Sequence, residues 1–163
     1  LQWRPIEGAR RYRVTVSGDN GALWSLDATG KALAWPADKA ALARDADYLW
    51  SLEVFSDKGP LAREESVFHV LSASSAGAIR EDVDRIRESA GGDDSAASAF
   101  LSGSYLLGKG LYRDAAEQFE ALCRLSPDAP APHEALGNAY RAMGLMDQAA
   151  AEYQKALELS RMP

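Results

Sequence analysis

The chain is poor in the residues that most often carry chemistry. One of its 163 residues is cysteine, Cys123, so no internal disulfide framework is available. Two are histidine, His69 and His133, far apart in sequence. No His-Glu-x-x-His, Cys-x-x-Cys or phosphate-cradling glycine loop occurs. Gly91-Gly92-Asp93-Asp94 lacks the alternating oxygen ligands and the distal Glu of a hand-like calcium loop, and reads as a solvated linker. Positive charge is also in short supply: 18 basic residues face 24 acidic ones, a net charge of −6. Nucleic acid and anionic membrane surfaces need a basic field, so neither is expected as a partner. No apolar run approaches the length of a membrane span, so this segment is not expected to insert into a bilayer. No charged-then-apolar leader is present either, and the opening on Leu1 suggests an excerpt of a larger, bacterial protein.

What is present is an ordinary globular composition, 47% hydrophobic and 26% charged, long enough for two small domains. The last third repeats itself. Shifted by 34 residues, Gly103 falls on Gly137, Gly110 on Gly144, Ala115 on Ala149, and Phe119 on Tyr153. Each copy reads as two amphipathic helices. Small residues at Gly103, Gly137, Ala115 and Ala149 let two backbones approach, and Phe119, Tyr140 and Tyr153 fill the space beside them. Gly110 and Gly144 stand where the first helix of each pair must end in a left-handed cap. Asp114 and Asp147 follow near the start of the next helix, where a carboxylate suits the amide ends and the dipole.

With Leu136-Gly137, Tyr140, Ala149, Tyr153 and Ala156 in that order, the second copy closely resembles a tetratricopeptide repeat. The first keeps Gly103, Gly110, Tyr112, Ala115, Phe119 and a closing Pro127, but carries Ser102, Leu106 and Leu122 at three signature positions. The resemblance implies two helical hairpins, 96–129 and 130–163, and a concave groove lined by the first helix of each pair. Carried over position by position, the groove residues are Phe100, Ser104 and Leu107, then Glu134, Asn138 and Arg141. Asn138 would grip a peptide amide and Arg141 a carboxylate. A stacked repeat buries its apolar face only against neighbours. The last helix, with Leu157, Leu159 and Met162, therefore offers an end face for a partner or for self-association.

Residues 1–72 have a different texture. Alternation of period two in "RYRVTV" and "YLWSLEV", broken by turn clusters, predicts strands near 1–4, 10–17, 21–26, 31–35, 47–56 and 64–71. Short strands at this spacing argue an antiparallel sandwich. Trp3, a proline, Ala9, Tyr12 and Val14, and later Leu42 six residues before Tyr48, resemble a fibronectin type III domain whose first strand is missing. The resemblance implies a tyrosine corner at Tyr48 and leans toward an extracytoplasmic setting, periplasmic or cell-surface. Trp3 and Trp50 are expected in the core, while Trp24 and Trp35 are candidates for an exposed stacking surface. Between the halves, within 73–95, Ile79, Val83 and Ile86 at helical spacing predict an amphipathic helix over 76–90. Ser74 or Ser75 would cap it, Gly91-Gly92 would end it, and its apolar stripe is expected to pack on the first repeat or bridge to the sandwich.

The sequence thus predicts an α+β chain of two domains, with no cofactor, no metal and no active site. Cys123 reads as a small packing residue, with Arg124 as its one basic neighbour, and His133 as a position where many polar residues would serve. The expected role is a non-catalytic protein–protein interaction scaffold binding a protein or peptide. Two alternatives are a sensory or regulatory segment of a membrane-anchored protein and an accessory carbohydrate-binding module presenting Trp24 or Trp35.

Overall fold

Among the described residues, four strands are followed by five helices. The computed structural model describes Leu1 and residues 3–161; Met162, one of the end-face candidates, lies outside the described residues. The chain divides into two compact units, Leu1–Ala76 and Gly77–Pro163.

In the first unit β1 (Arg11–Gly18), β2 (Gly21–Ala28), β3 (Ala46–Ser56) and β4 (Gly59–Val70) form one antiparallel sheet in the order β2-β1-β3-β4. Alternation sets its inner face: Tyr12, Val14, Val16, Trp24, Tyr48, Leu52 and Val54 are buried together with Trp3. Each valine removed from water in this way contributes about 1.5–3 kcal/mol. Trp50 is only half-buried, although its position shares the alternation of Leu52 and Val54. Arg11 and Arg13 on β1 both bond Asp27 on β2, at 2.6 and 3.0 Å. These bonds hold the Asp27 carboxyl below its usual range.

Two of the six expected strands are not formed among the described residues. Around 1–4 and 31–35 the chain makes only a short bridge, with Trp3 N–H donating to the Lys31 carbonyl and Leu33 N–H to that of Leu1. Pro5 and Pro36 stand at the ends of these two stretches, and proline supplies no ladder donor. The second sheet of the expected sandwich is therefore reduced to this bridge among the described residues. The last strand begins earlier than expected, at Gly59, directly after the Asp57-Lys58 turn. Its Pro60 is accommodated beside an irregularity in the β3–β4 register, on an edge strand. The tyrosine corner is present: the Tyr48 hydroxyl donates to the Ala43 carbonyl at 3.2 Å.

Helix α1 (Ala73–Ser89) starts three residues before the expected 76. Its cap is Ser72, whose Oγ accepts from Ser75 N–H at 3.0 Å, in place of Ser74 or Ser75. At its end, Gly92 N–H reaches back to the Arg87 carbonyl, with Gly91 and Gly92 both at positive φ. The apolar stripe packs on the first repeat as one of the two expectations had it: Val83 and Ile79 share a core with Ala99 and Leu106. On the solvent side of α1, Arg85 pairs with Asp82, three residues before it. The Asp82 carboxylate also accepts from the Tyr105 hydroxyl, which holds its pKa below the usual value.

The two hairpins are α2 (Ala96–Gly108) with α3 (Tyr112–Leu125), and α4 (Pro130–Ala142) with α5 (Met146–Leu159). A Cβ at Gly103 would stand 2.5 Å from the Phe119 ring, and one at Gly137 would stand 2.6 Å from Tyr153. Real side chains do not approach so closely, so each crossing requires glycine. Gly110 and Gly144 take φ of 76° and 75° at the two corners.

Candidate functional site

Phe100, Ser104 and Leu107 recur at i, i+4 and i+7 on α2, and Glu134, Asn138 and Arg141 do the same on α4, so each trio lies along one helix face. Five of the six are exposed. Leu107 is half-buried and packs against the helical core. Phe100 remains 46% exposed while its ring tilts toward the buried Phe119, with 6.5 Å between centroids. This anchoring restricts the Phe100 ring and leaves part of it open to contact. Arg141 has no ion pair among the described residues. Asn138 is less free than its exposure implies, because its Oδ1 accepts from the Tyr153 hydroxyl at 2.9 Å. What it has left to offer is chiefly the amide donor, which fits a partner's carbonyl.

The end-face residues separate. Leu157 is 45% exposed, whereas Leu159 is half-buried. Leu157 joins Glu134, Asn138, Tyr153, Ala156 and Ser160 around an open concavity of about 450 Å³. Glu134 and Asn138, expected in the groove, therefore share this concavity with Leu157, expected on the end face. In the first hairpin, the residue equivalent to Leu157 is Cys123, which α4 covers.

A buried polar cluster at that covered position was not foreseen. His133, 4% exposed, directs Nδ1 to Glu152 Oε2 at 2.6 Å and lies 3.7 Å from Cys123 Sγ. The expectation that many polar residues would serve at position 133 does not hold for a ring so deeply buried. The repeat offset carried the signal, since His133 falls on Ala99, itself a core residue. Cys123 accordingly has a basic neighbour that its local sequence did not reveal. Burial pushes its thiol up to about 11, the reverse of an activated nucleophile. Both neighbours converge on the same ring nitrogen, and Nε2 is buried without a partner. A base relaying a proton from a thiol to an orienting carboxylate uses both ring nitrogens, so this trio lacks the arrangement of a nucleophilic triad. Its evident effect is structural, joining α3, α4 and α5. Beside it, the Tyr140 hydroxyl donates to Glu120 at 3.0 Å, and burial raises it to about 12.

His69, in β4, bonds Asp47 Oδ1 through Nδ1 at 2.8 Å on the surface of the first unit. Among the described residues no helix is long and apolar enough to cross a membrane, and no group of three or more ligand side chains could hold a metal ion.

The tetratricopeptide repeat family model matches residues 133–161. No curated protein matches the chain. Among solved structures, "MamA MSR-1 C2" is similar at 23% identity and a TM-score of 0.46, covering 53% of this chain and 50% of that one. "Crystal structure of MamA" is similar at 22% identity and a TM-score of 0.46, covering 53% and 52%. The chain spans about half the length of the MamA chains it matches. Residues 133–161 are thus similar to a tetratricopeptide repeat, and the preceding hairpin has the same corner and the same glycine–aromatic crossing.

Proposed function

We propose that this chain is a non-catalytic interaction scaffold whose helical unit takes a peptide or a partner's helix on the face shared by α2 and α4. The observation that carries this reading is the chemistry of that face. α2 offers a restrained, half-exposed aromatic, and α4 offers an unpaired guanidinium and an amide donor. Apolar anchors beside unsatisfied directional groups are what a short segment needs to be held in one register. The test is a crosslinked pull-down that compares the wild-type chain with Phe100→Ala and with Asn138→Ala/Arg141→Ala, all checked for folding by circular dichroism. Loss of the same partner in both folded variants supports the reading. Retention in both moves recognition off this face.

The exposed Leu157 favours a second reading, self-association through the end face. Sedimentation of the wild type against Leu157→Glu tests it. A concentration-dependent dimer abolished by the substitution is the supporting result, and a wild-type monomer at all concentrations rejects it. The first unit is read as a fibronectin type III-like domain. The Tyr48–Ala43 bond and the packing of Trp3 and Leu33 on the sheet core support that reading. Such modules lean toward an extracytoplasmic setting, which fractionation of source cells with an antibody to the chain would check.

A further inference from the structure

The first unit carries a second concavity, independent of the helical face and about 450 Å³ in volume. That falls within the roughly 300–1,000 Å³ range of small-molecule sites. Its aromatic lining is Trp24, Trp35 and Tyr48. Trp24 and Tyr48 are each 7% exposed and belong to the core, but Trp35 is 39% exposed. The two indoles meet edge to face, with centroids 5.2 Å apart and planes at 79°. Such a contact occupies at most one face of Trp35 and fixes the plane of the ring. The result is a held, partly open indole.

Around it stand Asp19 and Asn20 from the β1–β2 turn, Lys39, and Asp47. Asp19 and Asn20 have no hydrogen-bond partner among the described residues. Asp47 commits Oδ1 to His69 and keeps its second oxygen, and Lys39 bonds the neighbouring Asp38 at 2.9 Å. Donors and acceptors are therefore both on offer. A cage for an organic cation needs several open ring faces and no competing cation. Here one ring is open, and an ammonium lines the wall. A purely apolar ligand would strand the carboxylates and the amide. A sugar suits both parts, because its C–H face lies on an indole while its hydroxyls donate and accept at the rim.

We propose that this concavity is a saccharide-binding subsite, with Trp35 as the stacking platform and Asp19, Asn20 and Asp47 as the polar rim. The experiment is calorimetric titration of the full chain with hexasaccharides of glucose in α and β linkage, of N-acetylglucosamine and of mannose, with tetramethylammonium as the competing chemistry. Saturable binding of at least one saccharide, weakened roughly tenfold or more by Trp35→Ala, is the expected result. Trp35→Ala also removes a contact of buried Trp24, so Asp19→Ala/Asn20→Ala provides a second variant. Neither residue has positive φ, and alanine there introduces no backbone strain. This variant should weaken the same saccharide several-fold while circular dichroism stays unchanged. No binding across the panel, binding that survives both variants, or binding of tetramethylammonium alone overturns the proposal.

Discussion

The two hairpins are built on one plan and finished differently. In the first, Phe119 is 1% exposed beneath Gly103, and α4 lies over the outer side of α3. In the second, Tyr153 occupies the same crossing beneath Gly137, is only half-buried, and turns its hydroxyl to Asn138 at the surface. The core position is exchanged in the other direction: Ser102 in the first copy stands where Leu136 fills the second, and both are buried. A repeat residue is thus chosen by what covers it as well as by its place in the period. Phenylalanine is found where a neighbour closes over the ring, and tyrosine where water remains in reach of its hydroxyl.

Truncation should break this pairing most visibly. Phe119→Ala is expected to cost about 4 kcal/mol and Tyr153→Ala about half of that, measured by urea denaturation at 25 °C. Equal costs would mean that the cover supplied by α4 has no energetic weight. The next contrast lies at the crossings. Gly103→Ala forces a methyl against a ring that cannot swing out, at about 3 kcal/mol, whereas Gly137→Ala meets a half-exposed ring and should cost about 1 kcal/mol.

Smaller and opposite in sign is Ser102→Ala. The Ser102 Oγ is buried without a partner, so its removal should stabilise the chain by about 1 kcal/mol, while Leu136→Ala destabilises it. A destabilised Ser102→Ala protein would indicate that the hydroxyl is satisfied in solution.

The finest probe is pH. Burial raises both the Cys123 thiol, to about 11, and the Tyr140 hydroxyl, to about 12, so each folded pKa lies above its unfolded value. Their contribution is complete below about pH 9 and is lost as pH rises through 11 and 12. Thermal melts from pH 8 to 11 should fall, and Cys123→Ala should flatten the part between 9 and 11. At pH 8 the thiol should also react with iodoacetamide about a hundredfold more slowly in the folded chain than in urea.

How much of this was readable beforehand differs between the regions for a physical reason. Helical corners and crossings are local, and Gly103, Gly110, Gly137 and Gly144 announce them because a Cβ at the crossings, or a left-handed backbone at the corners, is costly for other residues. The helical face was accessible through the same period, although the tie between Asn138 and Tyr153 was not, since it depends on side chains 15 residues apart. Strand alternation located β1 and β3 well, because both are central and half-covered. It overextended the structure at 1–4 and 31–35, where Trp3 and Leu33 pack on the sheet core and the described residues form no strand. The Cys123–His133–Glu152 cluster was hidden because position 133, at the start of a helix, read as one where many polar residues would serve.

The corners at Gly110 and Gly144 match closely. Their φ angles are 76° and 75°, and each is closed by the same bond, Leu111 N–H to the Leu106 carbonyl at 3.0 Å and Leu145 N–H to that of Tyr140 at 2.9 Å. The joint is in effect a standard fitting. A gene segment encoding one 34-residue period can be duplicated or excised without inventing a new connection, so the length of such an array is open to adjustment by recombination while its curvature is inherited from the part.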